Sequence, residues 1–238
     1  MTPAARAARA AAPFVVVPAL VVGVVVGVVS GPIFGVVAFL VIAVALALWC
    51  RLAGDRRVLA RVGGRDADPK RDARLCNLVE GLSISAGVRQ PRLRVIDSPG
   101  LNAMAAGAKP SRAVLGVTTG LLSELDRVEL EGVLAEELAQ IRRNETLPAT
   151  ILVATFGLGR GAAVPADRDA GADQAAVALT RYPPGLAAAL EKIEAKGAAV
   201  DSQPAYMAHL WMAEPRSGVP VDRGRLPLRE RIEALREL

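Results

Sequence analysis

Histidine, aromatic residues and cysteine are all scarce in this 238-residue chain. The single histidine, His209, excludes a metal site built mainly from imidazole side chains, and its apolar neighbours indicate a packing residue. Aromatic residues make up 3% of the chain, too few for the stacking surfaces that bind nucleic acid, so we expect no nucleic-acid partner. The two cysteines, Cys50 and Cys76, lie far apart and indicate reduced thiols, not a disulfide framework.

Acidic residues are absent from the first 50 positions, which hold only two basic residues. The region consists mainly of two uncharged runs, residues 13–30 and 33–50, each about long enough for a helix to cross ~30 Å of hydrocarbon. We therefore predict an N-terminus over residues 1–12 and a transmembrane helical hairpin over residues 13–50. A cleaved signal peptide is the alternative, but the first run is long for one and a second run follows at once.

Basic residues flank the hairpin on both outer sides, whereas its turn, Ser30-Gly31-Pro32, is uncharged. The positive-inside rule then predicts a multi-pass plasma-membrane protein with its main domain in the cytoplasm. Residues 51–72 have the composition of a basic juxtamembrane linker that contacts anionic lipid headgroups. Glycines at every fourth position from Gly23 favour tight packing of the hairpin on itself, and a dock for another protein's span is the alternative.

The remaining residues, 73–238, predict an α+β domain. Apolar spacing and capping residues predict helices over residues 75–86, from Asp126 to about 141, from Pro183 to about 196 and from Pro227 to 238. Short strands are predicted near residues 93–97, 102–105 and 113–118. The apolar run Leu147–Leu158 is too short for a third span and predicts a buried or interfacial helix. A polar stretch, Ala166–Asp173, is expected to precede another helix.

Several short motifs follow one another through this domain. They are N-A-M-A at 102–105, T-T-G-L-L at 118–122, E-L-E-G-V-L-A-E-E-L-A-Q-I at 129–141, A-D at 172–173, H-L-W at 209–211, and P-L followed by R-I between 227 and 232. The series resembles the HtpX family of membrane zinc metallopeptidases, relatives of the CAAX prenyl endopeptidases. This resemblance implies a zincin-like peptidase-type domain and a peptide-binding strand at Asn102, Ala103, Met104 and Ala105.

The central motif of that family, H-E-x-x-H, is altered in this chain to Glu136-Glu137-Leu138-Ala139-Gln140. The resemblance implies that Glu137 occupies the general-base position and that Glu136 and Gln140 replace the two histidine ligands. Asp169 aligns with the third ligand, a glutamate in the family, and Asp173 with an acid that steadies a zinc-bound histidine. Zinc is the family's cofactor, but these ligand positions offer oxygen atoms alone, so we expect no cofactor here.

The substituted residues also predict local contacts. Gln140 lies one helical turn after Glu136 and can donate a hydrogen bond to it. The four acidic side chains at the altered site would repel one another without a cation, so we expect an arginine in place of the metal. Arg225, which aligns with a histidine in the family's C-terminal H-P-P patch, is the first candidate, and Arg143 and Arg168 are alternatives.

These features predict a membrane-anchored pseudopeptidase that serves as a protein-binding or regulatory subunit of a membrane complex. Its expected partners are membrane lipid and another membrane protein, which could bind by strand addition at residues 102–105. The first alternative is a zinc metalloendopeptidase in membrane-protein quality control, in which Glu137 would still activate water. The second is a structural, membrane-tethered module whose cleft is filled by its own side chains.

Overall fold

The computed structural model describes residues 2–156, 168–200, 203–216 and 225–238. Within these ranges the helices are α1 (Pro3–Ser30), α2 (Pro32–Val62), α3 (Ala73–Ala86), α4 (Thr119–Glu124), α5 (Arg127–Arg142), α6 (Thr146–Ala154), α7 (Arg168–Thr180), α8 (Pro183–Lys196) and α9 (Leu228–Arg236). The strands are β1 (Arg65–Asp66), β2 (Arg92–Ile96), β3 (Ala103–Ala106) and β4 (Val114–Thr118), and short 3-10 turns cover Pro110–Arg112 and Ala205–Leu210. The domain is α+β, as the sequence predicts.

The two N-terminal helices form an antiparallel hairpin whose apolar surface is largely exposed. Both are long and apolar enough to cross a membrane. Their contact is close because it is lined by glycine: a Cβ atom placed on Gly35 would lie 2.6 Å from the carbonyl oxygen of Gly23 and 2.7 Å from the Cα atom of Gly27. The small residues therefore serve packing within the hairpin, the first of the two roles considered for them.

The outer ends of the hairpin pack against the domain. Buried residues from the start of α1 and the middle of α2, including Ala10 and Cys50, form an apolar cluster with α6. Arg57 of α2 donates a hydrogen bond of 2.7 Å to the carbonyl oxygen of Ala154 at the end of α6. Its guanidinium also lies 4.4 Å from the ring centroid of Trp49. These contacts hold the domain against the outer end of the hairpin, opposite the turn that joins its two helices.

The segment that we expected to be a linker is helical over its first half. Helix α2 continues to Val62 and ends at Gly63, whose φ of 70° is unfavourable for other residues. The reason is apolar spacing within the charged segment: Val58 and Val62 are buried and pack against the domain. Helix α1 likewise begins at Pro3, inside the segment assigned to the N-terminus.

A four-stranded sheet in the order β1-β2-β4-β3 forms the centre of the domain. Strands β2 and β4 are parallel, and the outer strands β1 and β3 pair antiparallel with them. Every residue of β3 and β4 is buried, so these strands lie between layers of side chains and do not form a solvent-facing sheet.

Helix α5 packs on this sheet and is the main element of the core. Asp126 caps it by accepting hydrogen bonds from the backbone of Val128 and Glu129, and the Glu129 carboxylate accepts one from the Asp126 backbone. This capping box confirms the predicted start of the helix. Twelve of its sixteen residues are buried, which places any polar residue in its second half inside the protein.

Most of the other predicted elements are confirmed. Helix α3 is capped at its C-terminus by Gly87 in the left-handed conformation, and α6 is buried along its length. Helix α8 begins at Pro183, and α9 begins at Leu228, directly after its N-cap Pro227. Residues 168–173, expected in a polar stretch, instead form the first turns of α7 because Asp169 and Asp173 are buried against other polar groups. Residues 157–158 and 166–167, at the ends of two predicted segments, lie outside the described residues.

We expect Gly35→Ala to destabilise the hairpin, because its methyl group would overlap the backbone of α1. Gly27→Ala is the matched control, since a Cβ atom there would lie 3.5 Å from its nearest neighbour, an ordinary contact. The cost at position 35 should be about 1–3 kcal/mol, visible as a lower unfolding midpoint of the full chain in detergent. Equal midpoints for the two variants would contradict this packing.

Candidate functional site

The altered motif lies in the buried second half of α5. Glu136 and Glu137 have no exposed surface, and Gln140 is 2% exposed. Gln140 donates a hydrogen bond of 3.4 Å from Nε2 to Oε1 of Glu136, which confirms the predicted contact one turn apart. Helix α7 packs beside α5 and supplies the two other acidic residues, Asp169 and Asp173, both almost fully buried. The structure thus brings together all four acidic residues singled out in the sequence.

Arg231 of α9 is the central cation of this site. Its Nη2 atom donates hydrogen bonds of 2.9 Å to Oε2 of Glu136 and 2.6 Å to Oδ1 of Asp173. Its Nε atom donates a third, of 2.8 Å, to Oδ2 of Asp173, so the carboxylate of Asp173 is held by two parallel bonds. One buried guanidinium therefore joins α5, α7 and α9.

Two further arginines contact the remaining polar groups. Arg225 lies with Nε 3.6 Å from Oδ2 of Asp169, and the same oxygen accepts a hydrogen bond of 3.3 Å from the backbone of Leu226. Arg168 donates from Nη2 to Oε1 of Gln140 and from Nη1, at 2.7 Å, to the carbonyl oxygen of His209. Glu136, Gln140 and Asp169, the residues at the family's ligand positions, therefore each contact an arginine.

Of the three arginines predicted to replace the metal, Arg225 and Arg168 contact the site as described above, whereas Arg143 does not. Arg143 donates a hydrogen bond of 2.6 Å to the carbonyl oxygen of Gly171 and forms an ion pair of 2.7 Å with Glu145, which is not one of the four acids of the site. Arg225 reaches Asp169 but is not the arginine that bridges Glu136 and Asp173. The sequence reasoning missed Arg231, although a signal was present: it falls within the apolar stripe of α9 with Leu228, Ile232 and Leu235, where a charged residue must be buried.

Glu137 differs from the other acids because neither of its carboxylate oxygens has a hydrogen-bond partner among the described residues. Burial raises its pKa, and the nearby arginines 168, 225 and 231 lower it less, which leaves the pKa at about 7. Near neutral pH a large fraction of Glu137 is therefore uncharged.

Charge balance explains why a proton can be held at the Glu136-Glu137 pair: burial also raises the pKa of Glu136, to about 8, although Arg231 lowers it. The site contains four acidic side chains and three arginines, so one carboxylate exceeds the available cations. Burial would raise the pKa of Asp169, but arginines 225, 231 and 168 outweigh it and hold that pKa below its usual value. Burial also opposes the charge on Arg231, yet Glu136 and Asp173 raise its pKa well above normal. One proton, held by Glu136 or Glu137, brings the cluster close to neutrality.

These residues do not fit the zinc ion that the family implies. Zinc prefers nitrogen and sulfur donors, whereas Glu136, Gln140 and Asp169 provide carboxylate and amide oxygens. Oε2 of Glu136 accepts from Arg231, Oε1 of Gln140 from Arg168, and Oδ2 of Asp169 from the Leu226 backbone. Across the described ranges, no cluster of three or more metal-binding side chains is found. A cation would have to displace or approach three arginines.

The strand predicted to bind peptide is covered by the chain itself. The outer edge of β3 forms a bridge between Met104 and Trp211, and Met212 donates a backbone hydrogen bond of 2.8 Å to the carbonyl oxygen of Ala103. The side chain of Asn102 makes two bonds with the backbone of Ala213, at 3.0 and 3.1 Å. Residues 102–105 are fully buried, so their predicted availability for strand addition is corrected: a peptide would first have to displace Trp211–Ala213.

The fold and this site define a membrane-associated peptidase-type protein: an apolar helical hairpin joined to an α+β domain, with the motif helix packed on the sheet. The model of peptidase family M48 matches residues 69–199. A protease HtpX homolog from Acidiphilium cryptum is 31% identical over 239 residues, covering 81% of this chain and 82% of the relative. Another, from Dictyoglomus turgidum, is 33% identical over 207 residues and 68% of each chain. The chain belongs to peptidase family M48 and is HtpX-like.

We expect Arg231→Met to destabilise the domain by about 3–5 kcal/mol, because it leaves two buried carboxylates without their cation. Arg229→Met is the control on the same helix, since the Arg229 side chain is 82% exposed, and it should change stability little. Adding Glu136→Gln and Asp173→Asn to Arg231→Met should recover at least half of the loss. Denaturant unfolding of the full chain measures the stability of these three variants. A triple variant as unstable as Arg231→Met would contradict the explanation by unpaired charge.

Glu137→Gln should stabilise the protein increasingly as pH rises. The raised pKa means that native Glu137 retains a proton between its ordinary value of 4.5 and about 7, so wild-type stability falls as pH increases through this window. The benefit of the substitution should grow by about 2 kcal/mol from pH 5 to pH 8. Glu131→Gln, at a half-buried position on the same helix, is the control. Parallel pH profiles for wild type and Glu137→Gln would contradict the assignment.

Proposed function

We propose that this chain is a membrane-anchored pseudopeptidase, a non-catalytic HtpX-like member of family M48. The observation that carries the proposal is Arg231, which donates hydrogen bonds to both Glu136 and Asp173 from a fully buried position. A guanidinium is a fixed cation that neutralises carboxylates but cannot lower the pKa of a bound water as a zinc ion does. Glu137 then has no activated water from which to accept a proton.

The cellular role that fits such a protein is a protein-binding or regulatory subunit of a membrane complex. The two exposed apolar helices support a multi-pass location in the plasma membrane, and the basic residues on their outer flanks support a cytoplasmic domain. Because Trp211–Ala213 covers the edge of β3, a partner protein would bind elsewhere, on the hairpin or on another face of the domain, unless it displaced that segment.

A structural, membrane-tethered module is the second candidate. Two observations favour it: Trp211 is buried and bridges to Met104 at the edge of β3, and the altered motif is buried in contact with arginines. The two candidates differ in one observable: a regulatory subunit has a stable partner in native membranes. Co-purification under mild detergent, with a chain carrying Arg231→Met as a destabilised control, separates them.

We expect purified full-length protein to contain well under one zinc ion per chain and to cleave no peptide or membrane-protein substrate. The assay requires an active HtpX homolog as a positive control, and Glu137→Gln should leave the background rate unchanged. Elemental analysis and a fluorogenic cleavage assay with added zinc measure the two properties. Stoichiometric zinc together with cleavage that Glu137→Gln abolishes would establish the alternative, a zinc metalloendopeptidase in membrane-protein quality control.

A further inference from the structure

A basic cavity lies where α2 leaves the membrane and meets the domain. It has a volume of about 380 Å³ and is lined by Leu52, Arg56, Leu59, Arg89, Gln90, Arg92, Ser111, Arg112 and Ala113. Three separate parts of the chain contribute: the end of α2, the loop that leads into β2, and the 3-10 turn before β4. Among the described residues of this lining are four arginines and no carboxylate side chain.

Three of these arginines have no counter-ion among the side chains that the structure describes. Arg56, Arg89 and Arg92 are exposed, and none of their guanidinium groups forms a hydrogen bond or ion pair with another described residue, although the Arg92 backbone donates to the carbonyl oxygen of Ala113. This contrasts with the buried site, where every arginine contacts a carboxylate or carbonyl oxygen. Cations that converge without counter-ions attract an anion, and guanidinium groups match the geometry of phosphate oxygens.

The position of the cavity along α2 indicates that the phosphate it can bind belongs to a membrane lipid. A helix that starts at Pro32 crosses ~30 Å of hydrocarbon in about 20 residues, so it leaves the apolar layer near Leu52. Arg56 lies one turn further, about 6 Å beyond that boundary. The polar headgroup layer is roughly 5–7 Å thick on each side of the bilayer, so Arg56 lies at the level of the lipid phosphates.

The remaining lining residues suit a lipid better than a soluble anion. Leu52, Leu59 and Ala113 add apolar surface to the lining, which can contact the glycerol backbone and the first carbons of an acyl chain. Ser111 and Gln90 provide polar groups that can hydrogen-bond to headgroup hydroxyls or phosphate oxygens.

We propose that this cavity is a binding site for the headgroup of an anionic phospholipid, with Arg56, Arg89 and Arg92 around the phosphate. The bound lipid fixes the domain against the membrane surface at the end of α2. The site is separate from the acidic cluster around Arg231, so it does not depend on whether the chain cleaves peptides.

The test is native mass spectrometry of the full chain in neutral detergent, titrated with phosphatidylglycerol. The Arg89→Gln/Arg92→Gln double variant should bind this lipid about thirtyfold more weakly, since each basic residue beside an anionic surface contributes about fivefold. The matched control is Arg71→Gln/Arg127→Gln, which removes two exposed arginines outside the cavity and should bind as wild type does. Both double variants should keep the wild-type unfolding midpoint without lipid.

Two further ligands identify the source of the phosphate. Phosphatidylcholine, which has the phosphate but no net charge, should bind at least tenfold more weakly than phosphatidylglycerol. Glycerol phosphate, which has the charge but no acyl chains, should not compete at millimolar concentration. Equal loss of affinity in both double variants, equal binding of the two lipids, or competition by glycerol phosphate would each overturn the proposal.

Discussion

The structure of the domain depends on one constraint: acidic side chains that are removed from water must be matched by cations or protons. Helices α5 and α7 bring four such side chains into the interior, where burial alone would force them to take up protons. Arg231 neutralises two of them, Arg225 lies beside a third, and Glu137 is left with a raised pKa. The positions of α7 and α9 against α5 follow from these pairings as much as from apolar packing.

This constraint also determines how the helices of the site are joined. In a zinc protein the ion joins side chains from separate helices and contributes to folding. Here a guanidinium joins the corresponding helices through hydrogen bonds to Glu136 and Asp173. Such a buried ion pair adds little net stability compared with apolar packing, but breaking it is costly, because a charge is then left unpaired. Arg231 therefore maintains the arrangement of helices more than it adds to the total stability.

The membrane hairpin and the domain are parts of one packed unit. Helix α2 continues beyond the membrane as far as Val62 and buries apolar side chains against the domain, while α6 packs on both N-terminal helices. The domain is consequently held at a defined height above the bilayer, and that height brings the arginines of the basic cavity to the level of lipid phosphates. Attachment to the membrane and recognition of its lipids thus have a common structural origin.

The sequence by itself determined the two spans, the α+β class, the capped start of α5 and the altered motif at Glu136-Glu137, since these depend on local spacing and residue type. Only the tertiary structure decided which arginine reaches the acids and whether the edge of β3 is open. Those answers depend on contacts between segments far apart in the chain: Arg231 lies 95 residues from Glu136, and Trp211 covers a strand more than a hundred residues earlier. Periodicity reports the face of a helix but not the neighbour that packs on it, so the pairing of a buried charge is fixed when the helices come together.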